Sequence, residues 1–188
     1  MEQPIYSRIL ISTQQIQQTV ALLARQIEQV YTEDEEVVAL VVLEGARQFA
    51  EDLLNEVRHP ITMRYIRASS YHGGTKSTGQ VELDSIESLA NEIAGKQVLV
   101  IDDIYDTGLT LSVILKRLSC YGAAEVRTCV LLVKQAAHER PVAIDFAGMD
   151  IEDAFVIGYG LDYEGRYRDL PFIAVLSEKI IKGESIDG

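Results

Sequence analysis

The chain has 188 residues, of which 47% are hydrophobic and 24% are charged, and its formal net charge is −12. A chain of this length can bury a core without disulfides or a structural metal, and no apolar run approaches the roughly 18 residues of a membrane span. The negative charge argues against broad attraction to nucleic acid or anionic membranes, so a phosphate-bearing ligand would have to be bound by local groups.

The first residues, MEQPIYSR, contain neither the basic stretch nor the apolar run of a secretion signal. The two cysteines, Cys120 and Cys129, have no metal-type spacing. We therefore expect a cytoplasmic protein with reduced thiols.

A helix is predicted over residues 13–31, because Ser12 and Gln15 form a capping-box pattern and apolar residues follow at helical spacing. These apolar positions are Ile16, Val20, Leu23, Ile27 and Val30. We expect the stripe to face the core, although a seam for a partner chain is the alternative. The run VVALVVL (37–43) predicts a buried strand, and the turn Glu44-Gly45-Ala46 leads into a second helix, ARQFAEDLLNEV.

The next strand is predicted in ITMRYIRASS (61–70), and the Gly- and Thr-rich YHGGTKSTGQVEL that follows predicts a long loop or open hairpin. A helix, LTLSVILKRLSCYG, then precedes the strand VRTCVLLVK and the apolar segments FVIGYGLDY and FIAVLS. The alternation of strands and helices predicts a single α/β domain with a mostly parallel sheet.

The segment VLVIDDIYDTGLTLS (98–112) combines a wholly apolar strand with an acidic cluster and a helix start. Such a strand is buried on both faces, and ligands of open α/β sheets bind beyond the carboxyl ends of the strands. Asp102, Asp103 and Asp106 suit a divalent cation, sugar hydroxyls or general-base chemistry, and residues 107–110 suit a phosphate. The combination indicates a phosphorylated ribose. The simpler alternative is a helix cap preceded by a solvated turn.

The same segment resembles the phosphoribosyl-diphosphate (PRPP) motif of the type I phosphoribosyltransferases. Four further blocks are similar, in the same order, to those of the hypoxanthine-guanine branch of that family: LVVLEGARQFAEDLL, RASSYHGGTKSTG, LLVK and FVIGYGLDYEGRYRDLPFIAVL. The resemblance implies a twisted, mostly parallel sheet flanked by helices in one domain over residues 1–188. It also implies a small hood, from the N-terminal segment and about residues 155–188, and a mobile lid loop at about residues 70–82.

The implied activity is transfer of a 5-phosphoribosyl group from PRPP to N9 of a 6-oxopurine, with Mg²⁺, in a homodimer or homotetramer that binds neither nucleic acid nor membranes. Asp106 would be the general base at purine N7. The implied binding residues are, for ribose and phosphate, Asp102, Asp103, Asp106, Thr107, Gly108, Leu109 and Thr110; for diphosphate, Glu44, Gly45 and Arg168; for the base, Lys134, Phe155, Val156 and Asp162; for the lid, Ser70 and Tyr71; and for the metal, Asp102, Asp103 and Asp162.

Single residues of this set have plainer interpretations. If each residue is judged only by how often its type is buried in proteins, Lys134 is a solvated strand end, Phe155 is a core residue and Arg168 is a surface charge. A lid at residues 70–82 competes with a surface loop of no function. A lysine donor nevertheless selects a 6-oxo group, because the amino group of adenine would leave the lysine unpaired.

The chain departs from the family at Glu44, where a basic residue is common, and at Leu109, where a polar or basic residue is frequent. A carboxylate near diphosphate is repulsive unless it turns away or acts through magnesium. We therefore expect Glu44 to weaken PRPP affinity without abolishing catalysis, and an unchanged affinity in Glu44→Lys would contradict this hypothesis.

Two other functions stay open on the sequence alone. One is a sister enzyme that prefers xanthine or a pyrimidine. The other is a nucleotide-sensing regulator on the same fold, for which the net charge of −12 is unfavourable because RNA binding needs a basic face.

Overall fold

A computed structural model describes residues 5–32, 34–70, 81–84, 86–135 and 140–181, without the side chains of residues 69, 70, 81 and 82. The strands are β1 (Tyr6–Ile11), β2 (Val37–Leu43), β3 (Ile61–Ser70), β4 (Val81–Asp84), β5 (Gln97–Tyr105), β6 (Glu125–Lys134), β7 (Phe146–Ile151), β8 (Val156–Ile157) and β9 (Ile173–Leu176). The helices are α1 (Thr13–Glu28), α2 (Arg47–Glu56), α3 (Ala90–Ile93), α4 (Leu109–Cys120) and α5 (Glu178–Ile181), with a 3₁₀ turn at Glu87–Leu89.

The main sheet has six strands in the order β4-β3-β2-β5-β6-β7. All neighbours are parallel except the edge strand β4, which pairs antiparallel with β3. The parallel sheet was predicted, and the antiparallel pairing of β3 with β4 matches the open hairpin, one of the two alternatives predicted for the segment after β3. A second sheet, in the order β1-β9-β8, joins the two ends of the chain and is antiparallel.

The central strands are buried on both faces, as their lack of polar alternation predicted. In β5, Leu99 and Ile101 face a core that contains α1 and α2 residues, whereas Val98 and Val100 face a core that contains α4 residues. All four side chains are fully buried. This two-sided burial fixes β5 in the middle of the sheet, with its carboxyl end at the centre of one edge.

The helix α1 begins as predicted but ends earlier. Its capping box is formed, since the Ser12 side chain accepts from the Gln15 N–H and the Gln15 side chain accepts from the Ser12 N–H. The stripe faces the core, with Ile16 and Leu23 buried, but Val30 lies beyond the helix end and is 37% exposed. The inclusion of Val30 was therefore wrong, because the chain has already turned toward β2 at that position.

Some elements carry no clear signal in the sequence. β7 pairs in parallel with β6, although FAGMDI is not a typical buried strand, and FVIGYGLDY forms only the two-residue strand β8 before a series of turns. Within the described ranges, no helix is both long and apolar enough to cross a membrane.

Candidate active site

A cavity of about 570 Å³ lies at the carboxyl ends of β2, β5 and β6 and extends to the segment after β7. It brings together fourteen of the residues that the sequence singled out. They are Glu44, Gly45, Asp102, Asp103, Asp106, Thr107, Gly108, Leu109, Thr110, Lys134, Phe155, Val156, Asp162 and Arg168. Parallel strands end at one edge of a sheet, and this is why segments far apart in sequence meet there.

The acidic pair ends the buried part of β5. Asp102 is 6% exposed and accepts from the Asp103 N–H at 3.0 Å, while Asp103 accepts from the Ile104 N–H at 2.9 Å. Burial, and then the Asp103 charge, raise the pKa of Asp102 well above its ordinary value. Burial also raises the pKa of Asp103, although hydrogen bonds and the Arg168 charge oppose that effect. A bound cation, or hydroxyl groups that donate to these oxygens, would stabilise the charged form of the two carboxylates that burial disfavours.

The turn from Asp106 to Thr110 opens helix α4. Gly108 has φ +79°, and a Cβ there would lie 2.0 Å from the Arg140 carbonyl oxygen, so this backbone position requires glycine. The Leu109 N–H donates to the Thr107 Oγ1 at 3.3 Å, and the Arg140 N–H donates to the Thr107 carbonyl. The N–H groups of a helix's first turn lack partners within the helix, so an anion can bind at such a turn.

Lys134 extends from the end of β6 toward two carboxylates. Its Nζ lies 3.0 Å from Asp106 Oδ2 and 3.2 Å from Asp153 Oδ1, and only 12% of its side chain is exposed. The interpretation of Lys134 as a solvated strand end is therefore wrong. An ammonium group and a carboxylate stand side by side in the cavity, one as donor and the other as acceptor.

The turn after β2 packs directly against the acidic pair. A Cβ on Gly45 would lie 1.7 Å from Asp103 Oδ2, so only glycine fits here without displacing that carboxylate. The Leu43–Glu44 peptide bond is cis. Glu44 lies 2.9 Å from Arg67 and 3.7 Å from Arg47, and its carboxylate is therefore paired.

The segment after β7 closes the other side of the cavity. Phe155 is 47% exposed and makes an edge contact with Tyr163, so it is not a core residue. Arg168 pairs with Asp162 at 2.6 Å and donates to the Gly160 carbonyl. This segment lies close to the turn after β2, since a Cβ on Gly160 would be 2.2 Å from the Gly45 carbonyl oxygen.

Two predicted lid residues are not tested by this geometry. The backbone of Ser70 ends β3, but its side chain and all of Tyr71 lie outside the described residues. Conversely, the sequence analysis missed Asp153 and Arg67. The signal for Asp153 is its position two residues before Phe155, and the signal for Arg67 is its place at the end of a strand beside β2.

Magnesium fits part of this site. Asp102 is buried and the adjacent Asp103 is half-buried, and carboxylate oxygens are the ligands that Mg²⁺ prefers. Asp162 is already paired with Arg168 and also accepts from the Gly165 N–H. The described part of the chain has no group of three or more His, Cys, Asp or Glu side chains placed to bind a metal. One or two carboxylates with substrate oxygens suffice for Mg²⁺, so the donor set suits an ion that arrives with a phosphorylated substrate.

Comparisons with known proteins identify the family. The phosphoribosyl transferase domain model matches residues 10–164. The chain is 37% identical to a hypoxanthine-guanine phosphoribosyltransferase of Mycobacterium avium, over 92% of this chain and 86% of that protein. It is 36% identical to one of Bacillus subtilis, over 92% of this chain and 94% of that protein.

Solved structures give the same result. A hypoxanthine phosphoribosyltransferase of Staphylococcus aureus is similar with a TM-score of 0.84 at 32% identity, covering 94% of each chain. A hypoxanthine phosphoribosyl transferase of Trypanosoma cruzi is similar with a TM-score of 0.86 at 32% identity, covering 97% of each chain. From its sequence, its sheet and the family model that covers most of its length, the chain belongs to the phosphoribosyltransferase family.

Proposed function

We propose that this enzyme transfers the 5-phosphoribosyl group of PRPP to N9 of hypoxanthine or guanine, giving IMP or GMP and diphosphate. The observation that carries the proposal is the pair of Lys134 and Asp106, 3.0 Å apart in the same cavity as the PRPP-type segment.

The pair is complementary to one edge of a 6-oxopurine. That edge presents the 6-oxygen, an acceptor, next to N7, which carries a proton in the N7–H tautomer. Lys134 donates to the 6-oxygen while Asp106 accepts from N7. Adenine would place an amino donor against the ammonium group of Lys134, and an unpaired buried donor costs about 1–3 kcal/mol.

The remaining site residues take roles around this pair. Phe155 stacks on the base and the Val156 backbone meets the base edge. The 107–110 turn receives the 5′-phosphate, with Leu109 contributing its backbone. Asp102 and Asp103 bind the ribose hydroxyls, and Gly45 and Arg168 approach the diphosphate.

The chemical step breaks the bond between the anomeric carbon and diphosphate and forms the bond to N9. Asp106 accepts the N7 proton as N9 attacks. Charge develops on the leaving diphosphate, so fixed donors and cations near it lower the barrier most. Mg²⁺, bound by Asp102 and Asp103 with Asp162 nearby, would supply charge stabilisation for that group.

We further propose a single domain in which the small sheet is the hood and the segment around Ser70 and Tyr71 is a lid that excludes water from the site. The hood proposal is supported by the β1-β9-β8 sheet, whose β8 directly follows Phe155. We infer a homodimer or homotetramer in the cytoplasm. Support for that compartment comes from the two free cysteines, Cys120 and Cys129.

The test is to incubate the purified protein with PRPP, Mg²⁺ and one base at a time, using hypoxanthine, guanine, xanthine and adenine, and to identify each nucleotide formed. We expect IMP and GMP and no AMP. A strong preference for xanthine would replace the proposed substrate, and the absence of product with every base would refute the proposed activity.

A matched pair of variants tests the role of the lysine. Lys134→Met should raise the KM for hypoxanthine at least tenfold, because it removes the donor to the 6-oxygen. Lys96→Met serves as the control, since Lys96 is paired with Glu36 at the opposite end of β5 and should leave the reaction unchanged. Equal kinetics in both variants would refute the assignment of Lys134.

A further inference from the structure

The carboxylate of Glu44 poses an electrostatic problem for the proposed function. It lines the cavity in the turn that approaches diphosphate, where a negative side chain would repel the leaving group and its precursor. Gly45, beside it, packs on Asp103, so the turn cannot simply move away from the site. Some feature of this chain must therefore limit the repulsion.

Two arginines flank that carboxylate. Arg67 Nη2 lies 2.9 Å from Glu44 Oε1 and forms a hydrogen bond with it, whereas Arg47 Nη2 lies 3.7 Å from Oε2. Arg67 is the cross-strand partner of Leu43 in the β2–β3 register, which places it level with the start of the turn. Arg47 is shared with another contact, because its guanidinium also lies over the ring of Tyr65 at 5.3 Å.

Arg67 reaches Glu44 from outside the cavity. Its neighbour Ala68 lines the cavity, but successive residues of a strand point to opposite faces, so the Arg67 side chain lies on the other face of the sheet. An arginine in this place can draw the carboxylate toward itself and away from a ligand in the cavity. It can also cancel the charge of Glu44 without contacting the ligand.

We propose that Arg67 is a positioning residue for PRPP binding, which neutralises Glu44 and draws it away from the diphosphate position. This inference rests on the proposed function. The turn after β2 carries the negative Glu44, and Arg67, on the neighbouring strand β3, supplies the positive charge that compensates it. Arg67 acts through Glu44, so its contribution depends on the carboxylate being present.

The experiment compares Arg67→Ala with a variant of the same strand. Arg67→Ala should raise the KM for PRPP about three- to tenfold, with kcat and the KM for hypoxanthine changed less than about twofold. The increase should shrink in high salt, because the charges are partly exposed. The control is Arg64→Ala, which breaks a comparable pair with Glu92 on the opposite face of β3 and should leave the KM for PRPP unchanged.

Rescue distinguishes neutralisation from a structural effect. Adding Glu44→Gln to Arg67→Ala should return the KM for PRPP toward its starting value, and Arg67→Lys should keep it low. An unchanged KM in Arg67→Ala, or a KM that stays high after Glu44→Gln is added, would overturn the proposal. If the unaltered protein makes no nucleotide, the proposed function fails and this inference fails with it, whereas failure of the variant tests alone removes only the role of Arg67.

Discussion

Lys134 acquires its role from its neighbours. At a strand end a lysine is usually solvated, but here Asp106 and Asp153 contact its ammonium group within 3.0 Å and 3.2 Å, and little of the side chain is exposed. A 6-oxopurine would have to enter between the Lys134 and Asp106 groups and satisfy both. Asp153, on the solvent side, can retain the lysine while Asp106 turns to the base.

The variant Asp106→Asn tests the proposed role of Asp106 as the general base. The amide keeps the shape of the side chain but cannot accept a proton, so we expect kcat to fall by about 10² to 10⁴. The loss should appear in steady-state turnover while IMP still binds. Near-normal turnover would mean that proton transfer from N7 is not limiting or that Asp106 has another role. The control is Asp150→Asn, which makes the same change of side chain on β7, outside the cavity lining, and should leave turnover unchanged.

At the scale of elements, three glycines allow close contacts around the cavity. Gly45 packs on Asp103, Gly108 on the Arg140 carbonyl, and Gly160 on the Gly45 carbonyl. The Gly45 and Gly160 contacts join the turn after β2 to the end of β5 and to the segment after β8, and the Gly108 contact joins the start of α4 to the segment at Arg140. A larger residue at any of these three glycine positions would push the contacting segments apart.

Gly45→Ala tests this arrangement. Its methyl group would lie 1.7 Å from Asp103 Oδ2, so either the turn or the carboxylate must move. We expect kcat/KM for PRPP to fall by about 10²-fold, since misplacement of about 1 Å costs that much. The control is Gly122→Ala, just after α4, where an added Cβ would meet no described atom beyond the adjacent residues within 4 Å and only the φ of +70° is unfavourable. That variant should lose about 1 kcal/mol of stability and keep its PRPP kinetics, and matching kinetics in both variants would contradict the prediction.

At the scale of the whole molecule, the edge of the sheet opposite the cavity contains a group that links stability to pH. Tyr31 is 6% exposed, stacks on His59 and lies under the Arg127 guanidinium. Burial raises the pKa of its hydroxyl to about 12, although Arg127 partly opposes this effect. The site and this group are at opposite ends of the strands, so their effects should be separable.

The pH dependence follows from that shift. The unfolded chain releases the tyrosine proton near pH 10, but the folded protein retains it until about pH 12. The contribution of neutral Tyr31 is therefore complete below pH 10 and is lost as the pH rises toward 12, by about 2–3 kcal/mol in all. Urea unfolding of the protein and of Tyr31→Phe should diverge by this amount across that range. Parallel curves would refute the assignment to Tyr31.

Much of the molecule could be predicted from local patterns. The apolar run of β5 indicated two-sided burial, and the Ser12–Gln15 pair indicated a helix start. The acidic residues at the end of β5 and the Thr-Gly residues after it predict a site for a phosphorylated sugar. Each of these signals is local, because the residues that cause the structural feature lie within a few positions of it in the sequence. Weak signals failed: β7 depends on its pairing with β6, and the end of α1 depends on the path of the chain to β2.

The sequence by itself determined the fold class, the segment proposed to bind a phosphorylated ribose and the family to which the chain belongs, because each depends on short patterns of burial and chemistry. Only the tertiary structure decided which charges act together. The pairing of Lys134 with Asp106 and Asp153, and of Glu44 with Arg67, joins residues 19 to 28 positions apart along the chain or on neighbouring strands. Electrostatic interaction depends on distance in space, and that distance is set by the order and register of the strands.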